Sequence, residues 1–195
     1  MNRVTPTIYG WFLRDVTIAA LLIILMYLTH LSYFYLPGIT TAFAGAAIGF
    51  IACYILCYIS HEWGHLIGAR LTDANMPLNG YRNILIGQFD ISQHSRQQFL
   101  ALSWGGVIAY VCIMIMALSV YLIFELGWVG AGFAVGGVAF VSQSLAVDVP
   151  QIIRVARGAD ILVTHQYGAS AQIILRRTWQ TWLPLATLVA VAQVF

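Results

Sequence analysis

The residues His61-Glu62-Trp63-Gly64-His65 follow the pattern H-E-x-x-H. On an α-helix the two histidines stand four positions apart and share one face, one turn apart. That spacing can place two imidazole nitrogens on a single tetrahedral Zn²⁺. Glu62 is rotated about 100° from His61, where its carboxylate can serve as general base toward a water that the metal makes acidic. The residues before the group form a long apolar run. An ionised side chain within a membrane costs about 2.5–3.5 kcal/mol even on the lenient insertion scale. Three ionisable groups there need partners, and one bound metal ion would provide for all three.

The elements that must position this group are membrane helices. Of the 195 residues, 61% are hydrophobic and 8% charged, about a third of the charge of an ordinary soluble domain. Mean hydropathy is +0.83. This composition excludes a disordered chain and argues against a soluble enzyme. Crossing a hydrocarbon core of roughly 30 Å takes about 20 apolar residues. Candidate spans run over 16–36, 41 to about 69, 99–124 and 127 to about 147, with a short fifth candidate over 179–195 that contains Pro184. The first run is too long for a cleavable signal peptide, and no small-residue cleavage site follows it. The expected fold class is therefore an all-α polytopic membrane protein of four to five transmembrane helices, with a single membrane-embedded domain over 1–195.

The basic residues set its orientation. All nine are arginines, and with a cytoplasmic N-terminus every one of them falls on the inner side, as the positive-inside rule requires. The expected location is a bacterial inner membrane, with the lipid bilayer as surroundings. Dispersed arginines and a net charge of +2 give no sign of a nucleic-acid partner. Cys53, Cys57 and Cys112 lie in apolar runs and read as small hydrophobic residues. His30 lies toward the outer end of the first span, away from His61 and His65, which is a poor pairing for a bis-histidine haem. Trp11, Trp128, Trp179 and Trp182 stand near span ends as expected interface anchors. Gly45 and Gly49, and Gly132 and Gly136, have the four-residue spacing that lets membrane helices approach closely.

Two inner segments have character of their own. Asn79-Gly80 is a two-residue hairpin signal, followed by strand-like residues up to Ile91. It predicts a small cytoplasmic-side β-hairpin, the other reading being a polar loop. Residues 161–175 mix apolar and polar side chains ahead of Arg176-Arg177, and read as an amphipathic helix on the membrane surface.

A catalytic zinc usually takes three protein ligands. Gly68 fits the extended pattern H-E-x-x-H-x-x-G-x-x-H, but Leu71 stands at its last position, so that route fails. Asp148 is the expected third ligand. It lies at the inner end of the fourth span, at a depth comparable to that of His61 and His65. Its other reading is a helix-end carboxylate paired with Arg154.

His61, Glu62 and His65, followed by Gly68-Ala69-Arg70, resemble the site-2 protease family of intramembrane zinc metalloproteases. The segment 96–106 resembles the family's segment that usually ends Ala-Gly-Pro, and Val147-Asp148-Val149-Pro150 resembles its aspartate motif. The resemblance covers about 41–158. Departures are Val149 in place of glycine, missing Asn and Pro upstream of Asp148, and Trp104-Gly105-Gly106 in place of Ala-Gly-Pro. The resemblance implies a metalloprotease core, Zn²⁺ held by His61, His65 and Asp148, and Glu62 as the catalytic residue. It also implies hydrolysis of a peptide bond in or near the transmembrane segment of a membrane-protein substrate. The departures motivate a second expectation, a proteolytically silent scaffold or accessory subunit among the partners of a larger membrane complex.

Overall fold

A computed structural model describes residues 6–123 and 126–168. The expected fifth span, Trp179, Trp182, Arg176-Arg177 and the later part of the surface helix lie outside the described residues. Helix α1 runs Ile8–Tyr35, α2 Ile39–Leu71, α3 Arg96–Ile123, α4 Gly127–Ala156 and α5 Ile161–Gly168. The first four contain stretches long and apolar enough to cross a membrane, and the chain is a multi-pass membrane protein on that ground.

Helix α2 is the central post, packed along α3 on one side and α4 on the other. Cys53, Cys57, Tyr110, Phe133, Phe140 and Ile152 are buried among these three helices. The two glycine pairs belong to the α2–α4 seam. A Cβ at Gly132 would stand 2.7 Å from Ala46 Cα, and one at Gly136 would stand 3.0 Å from Phe50 Cα. Helix α1 is peripheral and leaves Leu21, Ile23, Ile24, Tyr27 and Phe34 exposed, as suits a helix surrounded by acyl chains.

The helix ends are set by local chemistry. Thr7 caps α1 by accepting from Gly10 N–H at 3.0 Å, so the helix starts two turns before the apolar run at Val16. At α3, Ser95 Oγ accepts from Gln98 N–H at 3.3 Å, and Gln98 Oε1 accepts from Ser95 N–H at 2.9 Å, a reciprocal capping box. Helix α4 ends with Gly158 at φ +102°, the left-handed position that glycine adopts without steric cost. Asp160 Oδ1 then accepts from Val163 N–H at 3.0 Å to start α5.

The extra turns of α1 reach the segment between α2 and α3. Trp11 Nε1–H donates to Asn79 O at 3.0 Å. The Arg14 guanidinium donates to Tyr81 O at 3.2 Å and to Asn83 O at 2.9 Å. Trp11 is 0% exposed, so it is a buried clamp and not the interface anchor expected of it. On the other flank, the Arg96 guanidinium donates to Ala156 O at the end of α4. These bonds gather Arg14, Arg96 and the 79–83 segment at one end of the bundle, together with the C-termini of α2 and α4.

The expected β-hairpin is not formed. One antiparallel bridge joins Leu78 and Gly87, with Asn79 N–H donating to Ile86 O at 2.8 Å and Gln88 N–H to Pro77 O at 3.0 Å. The connection spans Gly80 to Leu85, not the two residues that Asn79-Gly80 suggested. The next ladder bond would run from Ile86 N–H to Asn79 O. Ile86 N–H instead faces Glu62, and Asn79 O accepts from Trp11. Both groups that would extend the ladder have other partners, so pairing stops at one bridge.

Candidate metal centre

His61, Glu62 and His65 all lie in the last third of α2, where helical pitch turns the histidines toward α3 and α4 and turns Glu62 toward the 77–89 segment. The two imidazoles converge, with His61 Nε2 and His65 Nε2 3.0 Å apart. Two nitrogens bound at about 2.0–2.1 Å to one tetrahedral ion lie roughly 3.3 Å apart, so the observed separation is a few tenths of an ångström from that arrangement. Ligand atoms of His61, Glu62 and His65 lie within 4.8 Å of one another. Among the described residues this is the group of ionisable side chains placed to hold a metal ion.

The packing around the rings explains the convergence. His65 Nδ1 lies 2.9 Å from Leu102 O. An accepting carbonyl there makes Nδ1 the protonated nitrogen and leaves the Nε2 lone pair toward His61, the outer-shell orientation common for metal-binding histidines. Leu102 O is in the second turn of α3, and a helical carbonyl points toward the residues three and four positions on. Those are Gly105 and Gly106, which place no side chain over it. A Cβ at Gly106 would stand 2.5 Å from His65 Cε1 and 2.8 Å from His61 Nδ1. The His61 ring lies against Tyr110 of α3 and Phe140 of α4, at centroid distances of 5.5 and 6.0 Å. Its Nδ1 is buried without a hydrogen-bond partner. A cation between the two Nε2 atoms, 3.0 Å apart, would take the lone pairs that converge there and leave Nδ1 as the protonated nitrogen of each ring. The donor set and its cradle therefore fit a bound metal ion.

The Gly106 cradle gives a prediction with a defined direction. Gly106→Ala should lower metal affinity about 10–100-fold, the range for changes just outside the ligand set. Helical content should stay unchanged, because alanine suits a helix interior. Competition titration with a metal indicator, alongside circular dichroism, checks both parts.

Glu62 is 5% exposed and receives Ile86 N–H at 3.4 Å, a long contact. Ile86 itself is 0% exposed, packed with Trp11, Leu66 and Leu102. The neighbouring Trp63 donates its Nε1–H to Asp15 Oδ2 at 2.8 Å. Asp15 also accepts from Arg14, at 2.6 Å to Nη2, and is itself buried. The start of α1 thus holds both the segment that covers Glu62 and the residue that follows Glu62.

Asp148 is brought near but not into the group. It lines a cavity of ≈ 180 Å³ together with His65, Ser103 and Gln151, and it is not among the side chains whose ligand atoms converge within 4.8 Å. It stands two residues before Pro150, which lies inside α4 and donates no backbone hydrogen bond there. His94 is elsewhere, stacked on Phe89 at a centroid distance of 4.2 Å. Sequence reasoning missed three contributors: Leu102 through its carbonyl, Gly106 through its missing side chain, and Ile86 through its backbone amide. The Gly105-Gly106 pair, opposite Gly64 and Gly68 across the α2–α3 contact, was the signal for the first two. Comparison with family models, curated proteins and solved structures gives no match, so what the site does is argued from its geometry alone.

Proposed function

We propose that this protein is a zinc-dependent intramembrane peptidase, similar in its site to the site-2 proteases, that cuts a peptide bond in or near a partner's transmembrane segment. The observation that carries this reading is the pair of imidazole nitrogens 3.0 Å apart with the Glu62 carboxylate beside them, inside a helix apolar enough to cross a membrane. Two imidazoles with carboxylates are a donor set suited to Zn²⁺, and His61, His65 and Asp148 are the residues that would hold it. When bound, zinc supplies Lewis-acid polarisation of the peptide carbonyl and lowers the pKa of water.

The remaining work falls to the chain. Leu102 O holds the His65 tautomer. Glu62 accepts the proton of the attacking water and returns it to the leaving amine. Cleavage of a helical segment requires local unwinding, because its peptide bonds are shielded by their own hydrogen bonds. The 77–89 segment has one bridge in place, and pairing of its remaining backbone groups with an unwound substrate would hold that substrate extended. The test is hydrolysis of a single-span substrate reconstituted in vesicles, carried out by the wild-type protein and not by Glu62→Gln.

One observation favours a second reading, a non-cleaving scaffold or accessory subunit of a membrane complex. Ile86 covers Glu62, and water must displace that contact to reach the carboxylate. Retention of a buried, ionisable Glu62 argues the other way, since a purely structural metal site has no use for it.

The third ligand is tested separately. Asp148→Asn should weaken zinc binding by more than the roughly 100-fold upper end of outer-shell changes, because an anionic ligand is lost. Zinc competition titration reads the change, and unchanged affinity would assign Asp148 to the cavity wall alone. The arginine distribution supports a cytoplasmic N-terminus in a bacterial inner membrane. In a cysteine-free background, Thr40→Cys should be labelled by an impermeant reagent from outside the cell and Ser95→Cys should be protected. The reverse pattern would place the metal centre near the outer face.

A further inference from the structure

The cavity beside His65 has two kinds of wall. Phe99 and Leu102 of α3, with Phe89 and Ile91 from the segment before it, give an apolar side, while Asp148 and Gln151 of α4 give a polar one. Phe99 and Leu102 are buried, so this side of the cavity is anchored in packed helix. The outer rim is braced as well. Asp90 Oδ1 accepts from Ser92 N–H at 3.0 Å and from Ser92 Oγ–H at 2.6 Å, and Oδ2 accepts from Gln93 Nε2–H at 2.6 Å. These bonds fix the 3₁₀ turn Ile91–Gln93 that sets Ile91 at the rim.

At ≈ 180 Å³ the space is too small for a drug-sized ligand, for which pockets start at about 300 Å³. A cavity of about 150 Å³ lined by apolar groups takes one benzene ring. The space therefore matches one apolar side chain, from leucine to phenylalanine in size, entering from a backbone that passes along the polar wall next to His65.

We propose that this cavity is the side-chain pocket of the peptidase, selecting a substrate with a medium-sized apolar residue at one position flanking the scissile bond. The proposal rests on the hydrolase reading and adds a substrate preference to it. Ile91 is the specificity-determining residue, because it lines the rim from a surface turn and can be exchanged without disturbing the helices. Extra methylenes in a hydrophobic pocket discriminate about 10–200-fold, which sets the expected scale.

The experiment reconstitutes the protein in vesicles with a library of single-span peptides randomised at successive positions, and sequences the products by mass spectrometry. Wild-type protein should favour Leu, Ile, Met or Phe over Gly at one flanking position by about tenfold or more. Ile91→Ala should shift the optimum toward Phe and Trp, and Ile91→Trp toward Ala and Gly. A second readout does not depend on turnover: Glu62→Gln protein is mixed with single-span peptides carrying a photoreactive aliphatic residue at successive positions. Crosslinks from one position onto 89–103 support the pocket, and crosslinks confined to the lipid face of α1 overturn it. Cleavage with identical residue preferences in wild type and both Ile91 variants overturns the pocket and leaves the hydrolase reading intact. Crosslinking into 89–103 without cleavage by wild type supports the pocket and overturns the hydrolase reading.

Discussion

Glu62→Gln should retain its zinc and lose cleavage by at least about 10²–10⁴-fold, the usual contribution of a positioned general base. The substitution keeps size and shape, and the amide oxygen still accepts from Ile86 N–H, now at 3.4 Å from Glu62 Oε2. What disappears is the ability to take a proton. Rate and metal content must be measured on the same preparation, because Glu62 has an oxygen within 4.8 Å of the histidine nitrogens. Loss of both rate and metal would make Glu62 a ligand. A normal rate with normal metal would mean that Glu62 is not the base.

The second large effect concerns the metal itself. Wild-type protein should carry about one zinc per chain, and His61→Ala/His65→Ala should carry less than about a tenth of that, because both imidazole ligands are removed. The fold should survive. Both rings lie in the last third of α2, while Cys53, Phe133 and Ala117, elsewhere in the α2–α3–α4 contact, are untouched. Truncation of a fully buried side chain to alanine costs about 2–5 kcal/mol, and the two imidazoles are only half-buried, so each replacement should cost less. Thermal unfolding in detergent, followed together with elemental analysis, separates metal loss from collapse of the bundle.

Much of this architecture was legible in the sequence because it rests on long apolar runs and on spacing within one helix. The i, i+4 histidines need only α2 to be helical. The small-residue pairs at Gly45/Gly49 and Gly132/Gly136 mark the α2–α4 seam because close backbone approach demands them. Less legible was whatever depends on one element borrowing groups from another. Arg14 and Asp15 cut short the apolar run and hid the first two turns of α1, which the Thr7 cap restores. The hairpin signal at Asn79-Gly80 is a local preference, and it yields because Trp11 and Glu62 take the two backbone groups that the ladder needs. Asp148 could be matched for depth but not for direction. A hydropathy pattern fixes how far along the membrane normal a residue lies and says little about which neighbour its side chain faces.

The proposed metal centre is tested most directly by X-ray absorption at the zinc edge of protein purified in detergent. His61 and His65 predict imidazole scattering from two nitrogens at about 2.0–2.1 Å, completed by oxygen and with no sulfur in the shell. The histidine signature should be lost in His61→Ala/His65→Ala. Cys53 and Cys57 are a buried pair four residues apart on the same helix and provide the contrast. A sulfur shell at about 2.3 Å, or the absence of stoichiometric zinc, would contradict the assignment of the metal to His61 and His65.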